Sequence, residues 1–345
     1  MDDSGLAWPL RVKLWDAGLR AVREQLRGHG LRELSTPIRT GEVALEPWIE
    51  PLRAGDRLLA TSPELAMKRL LARGSGSIFQ IAHVFRAAEI GARHSEEFHL
   101  IEWYREPGDL PDVIADVEGL VAAVFEAVKP VIADECPASA ATLPPTPHAW
   151  VRIELLELMG ETLAHPLAGH EDAEALKPLL RRVRQAHGLR LPTGDEAMPD
   201  DPDLARLLAW TELFSLWSDL HLDAWLARLP VGVAAHVEGF PVPLAALSEA
   251  EADGRRAARF ESHVGGTELA NGYRELRDPV EQRRRFELVV AMRAHYGQAP
   301  LPMPEAFLAE LDRMPACAGV ALGLDRLLAL ACGCSRLDQV ALQLV

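Results

Sequence analysis

Apolar and polar residues between Ile81 and Arg105, IAHVFRAAEIGARHSEEFHLIEWYR, divide into three pieces. A strand ends at Arg86, a long polar turn follows, and a second strand runs from Glu97 to Arg105. Strand residues two apart share a face, so Phe98, Leu100, Glu102 and Tyr104 stand together, opposite His99, Ile101, Trp103 and Arg105. The first face carries an aromatic ring and, about 13 Å along, a carboxylate beside a phenol. The turn adds Arg86, Glu89, Arg93 and His94. Such a surface suits an anion at the turn, a flat ring on Phe98 and a cation at Glu102 and Tyr104. An amphipathic hairpin with a solvated loop has the same pattern.

The other elements follow from the same periodicities and from turn and cap residues. Leu14–His29 has helical spacing and stops at Gly28 and Gly30. Leu31–Pro37 is a short strand closed by proline, which belongs at a sheet edge or an interface. Leu58–Thr61 is another strand. Ser62, Pro63 and Glu64 then open a helix to about Arg73, with serine as cap and proline in the first turn. Gly74–Ser77 lies after a helix and before a strand, the wrong order for a phosphate loop, and reads as a helix stop. Val113–Ile132 is an amphipathic helix, and Ala133–His148 a connection. Trp150–Leu229 is expected to be mostly helical, with loops at His165–His170 and Leu191–Pro202.

Phe260–Val264 and Thr267–Ala270 form a hairpin about Gly265 and Gly266. Glu261 and Glu268 sit close to its two ends, and a pair of carboxylates on adjacent strands repel unless a cation lies between them. Strict alternation puts Glu268 opposite to Asn271 and Glu275, so one shared site requires a bulge, expected at Gly272. Asp278, Pro279 and Glu281 carry the cap, first-turn proline and capping-box pattern of a helix reaching about Tyr296. A second helix follows Pro304. At the end, Gly319–Gly323 is a buried strand and Leu324 begins a helix. Arg326 in that helix's first turn opposes the dipole, which points to an anionic ligand. Leu337–Val345 is expected to be a final strand.

Composition narrows the possibilities. The chain has 345 residues and a net charge of −15, which argues against non-specific binding to nucleic acid or anionic membrane. No apolar run reaches the length of about 18 needed for a span. The acidic start lacks the features of a signal peptide. Cys136, Cys317, Cys332 and Cys334 have no metal-ligand spacing and suit a reducing compartment, by default the cytoplasm. His165, His170, His187, His221 and His236 are scattered and match no metal site.

Three separated segments resemble motifs 1, 2 and 3 of class II aminoacyl-tRNA synthetases: Leu34–Pro37, the Phe85–Arg105 hairpin and Gly319–Arg326. TSPELAMKRL (Thr61–Leu70) and GTELANGYREL (Gly266–Leu276) look lysyl. FESHVGGTELANGYRELRDPVEQRRRF and MPACAGVALGLDRL are most similar to the small lysyl-synthetase paralogues that attach (R)-β-lysine to elongation factor P. The likeness covers residues 10–110 and 255–345 well and is weak across 133–254. It implies an α+β class II catalytic fold, a mainly antiparallel sheet flanked by helices. It also implies one catalytic domain over 1–345, with a divergent helical region at about 133–254. Motif 1 appears by Leu34, leaving no room for an anticodon-binding domain, so tRNA decoding is not expected. A homodimer through motif 1 is implied.

The resemblance also assigns roles. The carboxylate of the amino acid attacks the α-phosphorus of ATP, giving an adenylate and pyrophosphate. Arg86 would meet the α-phosphate and Arg326 the γ-phosphate, with His94 on the phosphate side. Phe98 would stack the adenine, with the Arg326 guanidinium on the other side. Glu261 and Glu268 match the Mg²⁺ carboxylates. Glu64, Glu102, Tyr104, Asn271 and Glu275 match positions that bind the two amines and the carboxylate of lysine or β-lysine. Ala321 stands where lysyl-tRNA synthetases have glycine and the β-lysine ligases have alanine. Motif 2 departs from the family: the glutamate usual two residues after its arginine is Ala88, and Glu89 stands one residue late. A regular strand would turn Glu89 away, whereas a bulge would restore it to the ATP site. Ser95 and Glu96 replace the usual Asn-Pro. An adenylating ligase with another acceptor, and a catalytically silent lysine-binding paralogue, are the alternatives.

Overall fold

The computed structural model describes residues 6–189 and 199–342. Eleven strands are present among them: β1 Arg32–Glu33, β2 Arg39–Thr40, β3 Arg53–Ala54, β4 Arg57–Leu59, β5 Ile78–Phe85, β6 Glu97–Arg105, β7 Ala149–Glu154, β8 Val233–Glu238, β9 Arg259–Val264, β10 Thr267–Arg274 and β11 Ala318–Gly323. Eight of them make one sheet in the order β1-β5-β6-β11-β10-β9-β8-β7, and β2, β4 and β3 make a small second sheet. Pairing in the large sheet is antiparallel except at its two ends, β1 with β5 and β7 with β8. The expected α+β architecture is therefore present.

One face of the large sheet is closed by helices. Trp8–Gly28, Leu110–Glu135 and Leu324–Ala331 bring Leu14, Val22, Val121 and Leu327 onto Ile101, Trp103, Phe260 and Val320. The other face carries polar residues along its centre and forms the floor of a pocket. A second core lies toward β7 and β8, where helices Leu155–Thr162, Ala173–Ala186 and Pro202–Trp217 pack around Trp210, Trp217 and Phe240. Pro63, not the expected Ser62, is the N-cap of helix Glu64–Leu71, whereas Asp278 caps its helix as expected. Ser62 Oγ accepts from the Glu64 N–H (2.9 Å) ahead of helix Glu64–Leu71, and Asp278 accepts from the N–H groups of Val280 and Glu281 ahead of helix Pro279–His295.

Several expectations need correction. The first helix begins at Trp8, because Leu10 and Arg11 extend its buried stripe toward the N-terminus. The region 133–254 is not all helical: β7 and β8 extend the main sheet as a parallel pair. Of the loop expected at Leu191–Pro202, the first eight positions lie outside the described residues. The helix after Pro304 is one turn, Glu305–Leu308. Leu337–Val345 is no strand where it is described; Leu337–Gln339 is a 3₁₀ turn that lowers Leu337 and Val340 into the main core, and 343–345 lie outside the described residues. The bulge of β10 is not at Gly272 but between Glu268 and Ala270, where Leu269 is the extra residue. Gly272 has another cause. A Cβ there would come within 2.3 Å of the Phe260 ring and 2.6 Å of Val320, so the core face has no room for one.

Candidate active site

The pocket floor can be read from strand register, since residues directly opposite in an antiparallel pair point to the same face. Gln80, Glu102, Ala321, Asn271 and Glu261 form one row across β5, β6, β11, β10 and β9. The next row holds Tyr104, Gly319, Tyr273 and Arg259. The bulge at Leu269 restores Glu268 to the face of Asn271, opposite His263, so Glu268, Asn271 and Glu275 all line the same cavity of about 240 Å³. Arg86, Glu89, His94, Phe98, Glu64 and Arg326 line it too.

At one end the acids are buried and organised. Glu102 accepts the Tyr104 hydroxyl (2.5 Å) on one oxygen and the Ser62 hydroxyl (2.7 Å) on the other. Burial, with the nearby Glu64 charge, pushes its carboxyl up to about 8. Lys68 is buried between Glu64 and Glu275, its Nζ 2.6 Å from an oxygen of each. Burial raises Glu275 to about 7, against the pull of the Lys68 charge. Tyr104 is buried and shifted upward beside these acids, so it stays a proton donor. Gly319 keeps this end open. A Cβ there would lie 2.4 Å from both Glu275 Oε1 and the Tyr104 ring.

At the other end the groups suit an anion. The Arg86 Nε–H donates to the Thr61 carbonyl (3.2 Å), and its guanidinium lies 5.2 Å from the Phe98 ring centre. Arg326 donates to the carbonyls of Arg93 (3.2 Å) and Glu268 (3.0 Å) from the first turn of its helix. Partial burial, then the charge of Arg326, lowers the His94 pKa. Ala88 has a φ of 62°, in the left-handed region. That kink, rather than a regular strand, turns Glu89 into the pocket, 3.6 Å from Arg86.

Glu261 and Glu268 differ in electrostatic setting. Burial disfavours the charge of Glu261, but Arg259 (2.6 Å) and His263 outweigh it and hold the carboxyl low. Glu268 stands at the pocket mouth with solvent contact, yet crowding by protein and the charge of Glu261 push it up. No described residue donates a hydrogen bond to the Glu268 carboxylate. No set of three His, Cys, Asp or Glu side chains among the described residues forms a complete metal cage. The mutual repulsion of Glu261 and Glu268 would be relieved by a cation, and as hard carboxylates they are the residues that would hold a divalent ion such as Mg²⁺.

This fold and pocket define a class. The chain matches the tRNA synthetases class II (D, K and N) over residues 11–342 and belongs to that family. Among curated proteins it is 33% identical over 332 residues to the elongation factor P–(R)-β-lysine ligase of Pectobacterium atrosepticum, covering 93% of this chain and 90% of the relative. It is 36% identical over 284 residues to the protein of the same name from Vibrio vulnificus, covering 82% and 76%. The Mannheimia succiniciproducens ligase of that name is 33% identical over 334 residues, covering 93% and 91%.

Sequence reasoning missed Lys68, Ser62, Arg259, Tyr273 and Glu46 as members of this site. Lys68, between Met67 and Arg69, reads as the solvent side of a helix. Its i, i+4 spacing from Glu64 was the available signal. Arg259 was recoverable by extending the β9 alternation one step before Glu261, where it bonds Glu261 and Asn271.

Proposed function

We propose that this protein is an ATP-dependent ligase that activates (R)-β-lysine as an adenylate and transfers it to a lysine of elongation factor P. The observation that carries this reading is the charge at the closed end of the pocket. Three carboxylates, Glu64, Glu102 and Glu275, face one lysine, Lys68, leaving a deficit of two positive charges when all are ionised. A substrate with two ammonium groups balances it.

In this reading the amino-acid carboxylate lies toward Asn271 and Arg86, next to the phosphate end. Arg86 neutralises the α-phosphate as its phosphorus is attacked, while Arg326 and His94 hold the outer phosphates. Phe98 takes the adenine on its ring face, and Glu89 supports Arg86. Glu261 and Glu268 would hold Mg²⁺, which would supply charge neutralisation on the phosphate side. Glu102 and Tyr104 receive the terminal amine. Ala321, between Glu102 and Asn271 on the floor, takes space beside the carboxylate end and favours an amine one carbon further out.

The four cysteines are free, which suits a reducing cytoplasm, and no described helix is long and apolar enough to cross a membrane. Motif 1, Leu34–Pro37, follows directly on the edge strand β1 with Ser35 and Pro37 exposed, which suits a homodimer through it. ATP–pyrophosphate exchange tests the activation step. Exchange dependent on (R)-β-lysine and Mg²⁺ is expected; its absence with lysine and β-lysine alike would remove the ligase reading in favour of a silent paralogue.

A further inference from the structure

Beside the pocket lies a second, larger cavity of about 500 Å³ between helices Pro202–Trp217 and Pro279–His295, which the activation chemistry leaves unused. Glu46, Asn271 and Tyr273 line both spaces, so they form the wall between them. Most of the second cavity is apolar, with Leu45, Leu207, Phe214, Leu244, Phe286 and Val289 on its sides. Its charged groups are largely satisfied by each other: Asp203 pairs with Arg206 and Arg284, and Glu281 with Arg284 and Arg285.

Two groups are not satisfied. Gln282, only 1% exposed, lines the cavity with neither amide atom hydrogen-bonded. Such a buried amide costs free energy unless a ligand meets it. The carboxylate of Glu46 has no hydrogen bond or ion pair to a described residue, although Arg86, Arg259, Glu64 and Glu89 surround it. The cavity is also bordered by Ser218 and Asp219 at the start of a π-helical turn, Ser218–Leu222, a local irregularity that recurs at functional sites. Exposed Trp48 marks the side open to solvent.

We propose that this side cavity receives the acceptor lysine, and that Glu46 takes a proton from its ammonium before attack on the activated acid. The inference rests on the ligase reading above. A lysine within a peptide has the matching parts: an apolar stem for the walls, an amine for Glu46 and a backbone amide for Gln282. In the step, the ammonium gives one proton to Glu46 and becomes a neutral amine. Its lone pair forms the C–N bond to the acyl carbon, and the acyl C–O bond breaks with its electron pair leaving on AMP. The second N–H proton is released to water, and Glu46 later returns its own to solvent. Burial shifts the Glu46 carboxyl upward, so it holds a proton more readily than an exposed glutamate.

The test uses the full chain with ATP, Mg²⁺, (R)-β-lysine and elongation factor P as the acceptor probe. Transfer is measured by single turnover beside ATP–pyrophosphate exchange in the same preparation. Glu46→Gln, which keeps size and shape, is expected to lower the ratio of transfer to exchange by about 100-fold and to remove the acid limb of the transfer pH profile. Leu207→Trp, which fills the cavity, is expected to raise the KM for elongation factor P about 10-fold or more. Wild-type transfer-to-exchange ratios in both variants would overturn the acceptor site while leaving the ligase reading standing. Absence of exchange in the wild type would instead overturn the ligase reading, and this inference with it.

Discussion

Glu102 makes substrate binding a proton-linked event of calculable size. Its carboxyl sits near 8 against an ordinary 4.5, because it is buried with Glu64 close by. An ammonium gains from Glu102 only when the carboxylate is ionised. At pH 7, ionising it costs about 1.4 kcal/mol, and at pH 6 about 2.7 kcal/mol, from one and two units below 8. The Kd for a diammonium amino acid should therefore weaken about 10-fold per unit below pH 8, and more steeply below 7 as Glu275 joins. Stability shows the converse sign. Both folded values lie above the unfolded one, so the folded chain binds more protons between about 4.5 and 8, and the unliganded protein loses stability as pH rises through that window. Calorimetric titration at pH 7 in buffers of different ionisation enthalpy should show about one proton released per β-lysine bound. Glu102→Gln should reduce that release and weaken binding by about 3 kcal/mol or more, since an amide cannot balance the buried ammonium. A Kd flat from pH 6 to 8.5, or no proton released, would rule out a protonated Glu102 in the unliganded pocket.

Glu268→Gln fits the same space and should leave the melting temperature unchanged while cutting adenylate formation about 100-fold; unchanged turnover would make the acidic pair structural. Ala321→Gly should raise activity with α-lysine and narrow an isomer preference of about 10–200-fold, read as exchange with both isomers on both proteins. Equal isomer ratios in the two would free Ala321 of any part in selection. Ala88→Gly should stabilise the fold by about 1 kcal/mol in denaturant titrations, because the left-handed backbone favours glycine. Glu89→Ala should weaken ATP binding, measured directly by titration; no change would mean that the kink at Ala88 does not serve the nucleotide.

Much of the floor was legible because β6 lies centrally in the sheet, with a strict period of two. Phe98, Leu100, Glu102 and Tyr104 could be assigned to one face from order alone, and all four line the pocket. The need for a bulge in β10 was legible for the same reason, since Glu268 is out of phase with Asn271. Its position was not, because a glycine excluded by the core leaves the same mark in a sequence as a glycine at a bulge. Lys68 was hidden because its burial depends on Glu275, which only the folded chain brings to it. Glu46 lies in an irregular segment with no period to assign its side, and β7 and β8 were lost among neighbouring leucine-rich helices.

In the proposed reaction one chain both activates a diammonium β-amino acid and passes it to a protein lysine. The direct measurement is intact-mass analysis of elongation factor P after incubation with this protein, ATP, Mg²⁺ and (R)-β-lysine, followed by peptide mapping. Addition of one β-lysyl group through an amide to a lysine ε-amine, dependent on ATP, is expected. Unmodified elongation factor P, under conditions where (R)-β-lysine drives pyrophosphate exchange, would contradict it.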